Sequence, residues 1–429
     1  MERKKVLIIT YYWPPSGGPG VQRWLKFTKY FRNFGIEPVI VTVSPEKASY
    51  PILDDSLVNQ IPEGVRVEYT DSFEPLKLFS SFFRKEKVPY AGIPERKNMS
   101  LAGKIALFIR ANFFVPDARV GWNKFAIKKC EEIIRHEKID FIVTTSPPHS
   151  TQLIGLALKK KFKLKWLADL RDPWTDIYYY KNFHHTRLTA KKDANLEKEV
   201  LRFADVVTVT SETTGKLFSS KLNSGREKFH VVTNGYDEED LPDFFAERRN
   251  PKFTITFSGT INKQFGLDGF LNAVKNLIDE GLSLQLNFVG NTEPTLMEEI
   301  SNFLPDTVFL GYLSHKKSIQ IISEADLLLL VIPKGNNSGT VPGKTFEYLS
   351  TCQPILCLSP ENGDAGKIIE SCEAGKSIKH DDVLAIKNYI NSCYKRWINH
   401  DSLMIQNDYY KSYSRSETTR RMAEIIKTS

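Results

Sequence analysis

Residues 6–31 read VLIITYYWPPSGGPGVQRWLKFTKYF, and the reading of this stretch decides the architecture. Val6–Thr10 is an unbroken apolar run of the kind that forms a strand buried on both faces. Pro14, Pro15, Gly17, Gly18 and Gly20 then interrupt regular structure across residues 11–20. Beyond them Val21, Trp24, Leu25, Thr28, Phe31 and Phe34 recur at helical spacing and give a helix one buried face. A strand running through a glycine loop into a helix opens a parallel α/β sheet, and such sheets bind ligands at their carboxyl edge. Free amides and the helix dipole at that loop favour an anion by about 0.3–1 kcal/mol, and by up to ~2 when partly buried. The glycines do not follow G-x-G-x-x-G, which argues against a nicotinamide or flavin site. A tight turn is the plain alternative, but Ser16 and Arg23 add polar groups that a bare turn does not need.

The same alternation runs along the chain. Strand-like runs occur at 6–10, 39–43, 65–69, 141–145, 166–170, 206–209 and 231–233, and again at 253–258, 285–289, 308–310, 327–331, 355–358 and 376–378. Helical patterns separate them, so the fold class is α/β with two doubly wound, Rossmann-like domains. The polar stretch from Tyr236 to Pro251 lies between the two series and reads as a linker. The expected division is 1–235, 236–400 and a polar helical segment at 401–429. Residues 71–123 break the pattern with LKLFSSFFRKEK and LAGKIALFIRANFF, basic, aromatic and amphipathic, and read as an insertion in the first domain.

Length and composition agree with this division. At roughly 150 residues per domain, 429 residues allow two or three domains. Hydrophobic residues at 41% and charged residues at 26% are those of a folded globular chain. No run of about 18 uncharged apolar residues suggests a membrane span. The N-terminus reads as a first strand rather than a signal peptide. Cys130, Cys352, Cys357, Cys372 and Cys393 match no zinc spacing and suit a reducing compartment, with cytoplasmic localisation the expectation. The net charge of +8 fits attraction to phosphates or to an anionic membrane surface, and equally a lysine-rich host composition.

Two clusters end strands of the first series. In DFIVTTSPPHST the chain turns at Pro147 and Pro148 and brings His149 to the ligand edge. In ADLRDPWTDIYYY, Asp169, Arg171, Asp172 and Trp174 leave the same edge. Two carboxylates around an arginine form either an ion pair or a set of ligands for sugar hydroxyls, with Trp174 as a stacking face; charge kept at a strand end favours the second. In the second series FSGTINKQFGLDGF repeats strand, glycine turn and helix, with Gly259 free to approach a phosphate and Lys263 to supply charge. FVGN holds Gly290, and LGYLS holds Tyr312 and Leu313. In GTVPGKTFEYLSTCQPIL, Thr340, Pro342, Gly343, Lys344 and Thr345 open a helix containing Glu347. A carboxylate there complements the helix dipole, or accepts two ribose hydroxyls at about 1.5–3 kcal/mol per charged hydrogen bond.

Taken in order, YYWPPSGGPGVQRW, VPDARVGW, TTSPPHS, LADLRDPW, VTNGYD, FSGTINKQFGLDGF and VPGKTFEYLSTCQPIL resemble the family 4 glycosyltransferases over nearly the whole chain, most closely the bacterial members of polysaccharide pathways. The resemblance implies the GT-B fold, two domains facing across a cleft with a C-terminal helix crossing back to the first. It implies a nucleotide-sugar donor on the second domain, an acceptor on the first, retention at the anomeric carbon and no required metal. No D-x-D metal site stands at a strand end here. Glu347 matches the second glutamate of the family's E-x7-E motif, the ribose ligand, whereas the first falls at Gly339. The family's G-R-x4-K appears as Gly259, Thr260 and Lys263 without the arginine, and Lys344 is the substitute. Asn234 and Gly235 match the hinge.

These readings give Lys263 and Lys344 the leaving diphosphate, aided by the amides around Gly17, Gly18, Gly20 and Gly259. Asp169, Asp172 and His149 orient the acceptor, and Arg23, Arg171 and Trp174 bind it. Gly290, Tyr312, Leu313, Thr340, Pro342, Gly343, Thr345 and Glu347 complete the donor site. The partners are a nucleotide-sugar donor, a sugar or lipid-linked sugar acceptor and, through the insertion, an anionic membrane. An epimerase of the same architecture and a non-catalytic nucleotide-sugar-binding subunit are the alternatives. Hydrolysis and nucleic-acid binding are poorer readings, because no paired carboxylates emerge and the lysines at 159–161, 163 and 165 belong to no recognised module.

Overall fold

A computed structural model describes residues 3–75, 101–177, 180–222, 225–241, 250–335 and 337–429. The chain forms two compact units, Met1–Thr233 with Thr418–Ser429, and Asn234–Glu417.

Unit 1 is built on a seven-stranded parallel sheet of order β3-β2-β1-β4-β5-β6-β7. The strands are β1 Lys4–Ile9, β2 Ile36–Val43, β3 Arg66–Thr70, β4 Phe141–Ser146, β5 Trp166–Leu170, β6 Val206–Val209 and β7 Phe229–Val231. The last lies two residues before the run at 231–233. β1 is central because both its faces are apolar. Val6 and Ile8 face one core with Trp24, Leu25 and Phe31 of α1 (Pro19–Phe31), and Leu7 and Ile9 face the other. Each such fully buried side chain contributes about 1.5–3 kcal/mol. The second core is closed by α3 to α6, the last four of the five helices α2 to α6. These are Leu101–Phe113, Asn123–His136, Ser150–Phe162, Arg187–Phe203 and Glu212–Ser220; Trp122, Cys130, Ile154, Trp166 and Val200 meet there. Of the expected insertion, α2 and the turn before α3 are seen, and residues 76–100 lie outside the described residues.

Unit 2 carries a six-stranded parallel sheet of order β10-β9-β8-β11-β12-β13. Its strands are β8 Phe253–Ser258, β9 Leu284–Val289, β10 Val308–Gly311, β11 Leu327–Val331, β12 Ile355–Leu358 and β13 Gly375–Ile378. The helices are α7 Asp268–Asp279, α8 Pro294–Phe303, α9 His315–Ser323, α10 Lys344–Ser350, α11 Asp364–Ser371 and α12 Val383–Ile398. β11 and β12 are apolar throughout, as strands covered on both faces must be.

The return to unit 1 comes at Thr418, later than the expected 401. Residues 401–417 stay with unit 2 for two reasons. Ile405, Tyr410 and Tyr413 pack on its core, and the backbone is held by Ile405 N–H to the Cys352 carbonyl at 2.7 Å and Arg415 N–H to the Tyr236 carbonyl at 2.7 Å. The last helix, α13 (Arg415–Thr428), then places Met422, Ala423 and Ile426 in the unit 1 core beside Val6 and Ile8. All five cysteines are buried free thiols.

Candidate functional site

In each sheet the strand order reverses once, between β1 and β4 in unit 1 and between β8 and β11 in unit 2. The crevice beyond the carboxyl ends at such a switch point is where open α/β sheets bind ligands. The glycine loop at 17–20 and His149 flank the first switch point, and Gly259 and Lys344 flank the second.

At the unit 1 edge the structure withdraws several residues expected to touch the acceptor. Asp169 on β5 and Arg23 on α1 are both 0% exposed and form a bidentate pair, Nε to Oδ2 at 3.1 Å and Nη2 to Oδ1 at 2.9 Å. The same carboxylate accepts from Trp24 Nε1 at 2.7 Å, Thr145 Oγ1 at 2.8 Å and Thr208 Oγ1 at 2.8 Å. Burial works against its charge, but Arg23 and these donors outweigh it and hold the carboxyl below its usual range. Five hydrogen bonds fill the lone pairs of a carboxylate, so Asp169 and Arg23 lock α1 to the sheet and leave nothing for a sugar. Arg171 is likewise occupied, donating to the backbone carbonyls of Ser146 at 3.0 Å, Gly20 at 2.8 Å and Pro147 at 2.8 Å. It ties the glycine loop to the turn after β4. Trp174 is buried too, with its indole N–H on Asp193 Oδ1 at 2.9 Å. His149 already stacks on its face, ring centroids 4.7 Å apart and 13° from parallel.

His149 and Asp172 remain at this edge. His149 is neutral, its pKa lowered to about 3 by burial and by the charge of Arg171. A neutral imidazole whose buried Nδ1 has no partner among the described residues is available to hydrogen-bond rather than to carry a proton. The Asp172 carboxyl is pushed up by burial, with Arg171 opposing, and receives no hydrogen bond among the described residues. The glycine loop offers less to an anion than the full set of amides expected. Gly17 N–H bonds the Ile52 carbonyl at 2.9 Å, Ser16 N–H bonds the Trp13 carbonyl at 2.9 Å, and Pro19 has no N–H. Gly18 and Gly20 are the loop's remaining donors.

Sequence reasoning missed a buried group beside this edge. Tyr11 OH donates to Glu74 Oε1 at 2.5 Å, and the Arg119 guanidinium lies over the Tyr11 ring, 3.8 Å from Glu74. Asp117 accepts from Ser150 N–H at 2.7 Å and Oγ at 2.8 Å, anchoring the start of α4. The quoted VPDARVGW held the signal, since it sets an aspartate and an arginine two residues apart before a buried Trp122.

At the unit 2 edge the charges point the other way. Lys344, at the start of α10, reaches back over β8, where its ammonium donates to the Ser258 carbonyl at 3.0 Å and sits 4.0 Å from the Phe257 ring centroid. Desolvation lowers its pKa to about 7, and Glu347 one turn on pulls it back up. Gly259 follows β8 with φ +121, and a Cβ there would stand 3.0 Å from the ammonium. Gly290 after β9 has φ +113, and a Cβ there would lie 2.4 Å from the Gly259 carbonyl oxygen. Only glycines allow these two strand ends to close up beside the lysine. Gly343 faces open space, and the Glu347 carboxylate receives no hydrogen bond among the described residues. Tyr312 is 79% exposed beyond the β10 edge strand, with Leu313 beside it half-buried. Thr340 and Pro342 are half-buried in the loop before α10, where Thr340 N–H bonds the Asn337 carbonyl at 2.9 Å.

Two donor-site expectations change here. Lys263 is drawn to Glu299 of α8 in a surface ion pair, away from the Gly259 turn, because an exposed carboxylate lies nearer than any phosphate cradle. Thr345 is fully buried with its hydroxyl inside the packing of α10, so it supports the helix rather than lining the edge. Among the described residues no group of three or more His, Cys, Asp or Glu side chains is arranged to hold a metal.

With this geometry in place the comparisons can be read. Residues 93–240 match the family described as Glycosyltransferase Family 4. The matched stretch lies almost wholly within unit 1. Along nearly its whole length the chain is similar in structure to Anabaena HepE in complex with UDP, at 14% identity and a TM-score of 0.64, covering 99% of this chain and 100% of that one. A glycosyltransferase from Rickettsia africae gives 13% identity and a TM-score of 0.63, covering 100% and 99%. A putative UDP-N-acetylglucosamine 2-epimerase from Listeria monocytogenes gives 12% and 0.54, covering 100% and 97%. At these identities the likeness shows the fold, and that fold is GT-B. No curated protein matches the sequence.

Proposed function

We propose that the protein transfers a glycosyl group, with retention, from a nucleoside-diphosphate sugar to an acceptor hydroxyl in the synthesis of a surface polysaccharide. The observation that carries this reading is the placement of Lys344. A partly buried ammonium stands at the switch point of unit 2, against a glycine strand end that leaves room for phosphate, with the Glu347 carboxylate, unpartnered among the described residues, one turn along the same helix. Lys344 supplies positive charge where the diphosphate leaves, and Glu347 accepts ribose hydroxyls. The UDP held by Anabaena HepE makes a uridine nucleotide the first donor to try.

In the reaction the acceptor oxygen bonds to the anomeric carbon as the carbon–phosphate oxygen bond breaks. The electron pair goes to the diphosphate, which also takes the hydroxyl proton. Charge on the leaving group is the main barrier, and a fixed cation in a water-poor site lowers it. No metal enters this scheme. His149 and Asp172 at the unit 1 edge hold the acceptor hydroxyl, a sugar or lipid-linked sugar, and the enzyme works at the inner face of a membrane.

Transfer assays over UDP-, GDP-, ADP- and TDP-sugars, run on the wild type and Lys344→Ala, test the reading. The variant keeps its fold and loses about 10²–10³-fold in transfer. Wild-type turnover by Lys344→Ala removes the phosphate role. Conversion of donor with no acceptor present identifies an epimerase, and nucleotide binding with no turnover on any donor identifies a binding subunit.

A further inference from the structure

Helix α2 and the segment 180–192 form a surface that neither the donor nor the acceptor chemistry uses. They are joined at the end of α2. Thr186 N–H donates to Asn112 Oδ1 at 2.7 Å, Asn112 Nδ2 reaches the His184 carbonyl at 3.4 Å, and the Arg110 guanidinium lies 5.8 Å from the Phe183 ring centroid. Around this junction large apolar side chains stand in solvent, Ile105 at 52%, Phe108 at 47%, Phe113 at 74% and Leu188 at 82%. Leu188 shares one face of α5 with Lys191 and Lys192, three and four residues on, while Asp193 and Glu197 turn inward.

The charge is one-sided. Residues 101–116 and 180–192 hold Lys104, Arg110, Lys181, Arg187, Lys191 and Lys192 and no aspartate or glutamate; Asp117 and Asp193, which follow the two segments, are taken up by Ser150 and by Trp174 and Tyr180. With 51 acidic residues in 429, two segments of this combined length would on average hold about three. Apolar side chains ringed by cations fit a surface with negative headgroups over hydrocarbon, where leucine and phenylalanine insert and lysines meet phosphate. Nucleic acid offers the phosphates but no apolar layer. Among the described residues no helix is long and apolar enough to cross a membrane, so the contact is peripheral.

The patch is wired to the acceptor edge. Tyr180 OH donates to Asp193 Oδ2 at 2.7 Å, and the other oxygen of that carboxylate holds the Trp174 indole on which His149 stacks. We propose that α2 and residues 180–192 dock the protein on an anionic bilayer and present the His149 edge to an acceptor carried in that bilayer. The second half rests on the transfer reaction proposed above; the docking itself does not.

The test is co-flotation with phosphatidylcholine–phosphatidylglycerol vesicles against phosphatidylcholine alone, at low and high salt. The wild type floats with the anionic vesicles at low salt and is released by salt. Lys191→Gln with Lys192→Gln lowers partitioning on the order of twentyfold, at about fivefold per cation near such a surface. Phe113→Gln with Leu188→Gln lowers it by about tenfold or more. Both pairs are exposed, so melting temperature and UDP binding stay at the wild-type values. Absence of flotation at low salt overturns the proposal, as does wild-type flotation by both pairs, or retention on duplex DNA without vesicle binding. Flotation needs no turnover, so it stands or falls separately from the transferase reading.

Discussion

The two switch points make a controlled comparison. Each follows a central strand, each has a glycine turn on one side, and each has charged residues on the other. In unit 1 the charges of Asp169 and Arg171 are spent inside the fold, in five and three hydrogen bonds within the unit, whereas Asp172 receives none among the described residues. In unit 2 the Lys344 ammonium has one carbonyl partner and the Glu347 carboxylate none among the described residues. Charge at a strand end is therefore weak evidence of a binding site by itself. The number of internal partners it has already acquired is what separates a staple from a ligand.

The largest effect that breaks or sharpens this contrast is expected at Asp169. Asp169→Ala leaves Arg23 buried without its anion and Trp24, Thr145 and Thr208 without an acceptor, a loss of about 3–5 kcal/mol. Urea unfolding of the variant should show unit 1 lost at much lower denaturant while nucleotide still binds unit 2. A variant that unfolds like the wild type but fails in transfer would restore Asp169 as an acceptor ligand and erase the contrast.

Glu347 comes next. Glu347→Gln keeps shape and helix and removes the charge from two hydrogen bonds, so nucleotide affinity should fall by about 1.5–3 kcal/mol, tenfold to more than a hundredfold. Titration calorimetry with UDP and with its 2′-deoxy analogue reads the partner as well as the size. The variant should discriminate between the two ligands less than the wild type does. Equal discrimination would place the ribose elsewhere.

How far the sequence carried these conclusions differs between fold and site. The strand runs and the doubly wound order were legible because burial on both faces leaves continuous apolar runs such as those at 6–10 and 327–331, whereas the return of the last helix was expected only from the family resemblance, and from 401 rather than Thr418. The site was half legible. Gly259, Gly290, Lys344 and Glu347 lie together because strand ends and helix starts are fixed by local pattern. Lys263 was misplaced because its partner, Glu299, lies on another helix, and no spacing rule relates them. Trp174 and Arg171 were misassigned for a similar reason. A stacking face or a guanidinium looks available in sequence until the tertiary fold shows what already occupies it, here His149 and three backbone carbonyls. Glu74, far in sequence from Tyr11 and Arg119, left no pattern to read.

The smallest expected effect is also the most specific, because it reads the Lys344 proton directly. The lysine's pKa is lowered from 10.5 to about 7 by desolvation. Between those values the unfolded chain binds the proton that the free folded protein has lost, so this group's contribution to stability rises with pH across the window. Donor binding runs in the opposite direction. Only the ammonium attracts the diphosphate, and the bound anion raises the lysine's pKa, so above pH 7 affinity should fall by up to about tenfold per pH unit. At pH 8 a lysine with pKa near 7 is mostly neutral, and binding should draw about 0.9 of a proton from solution. Calorimetry in buffers of different ionisation enthalpy measures that uptake. The ligand should be a nucleotide sugar, whose diphosphate has no proton to exchange near pH 8, rather than UDP. Lys344→Gln should abolish the uptake and flatten the pH dependence of both quantities. Uptake that survives the substitution would assign the proton to another group and leave unit 2 no better supplied with free charge than unit 1.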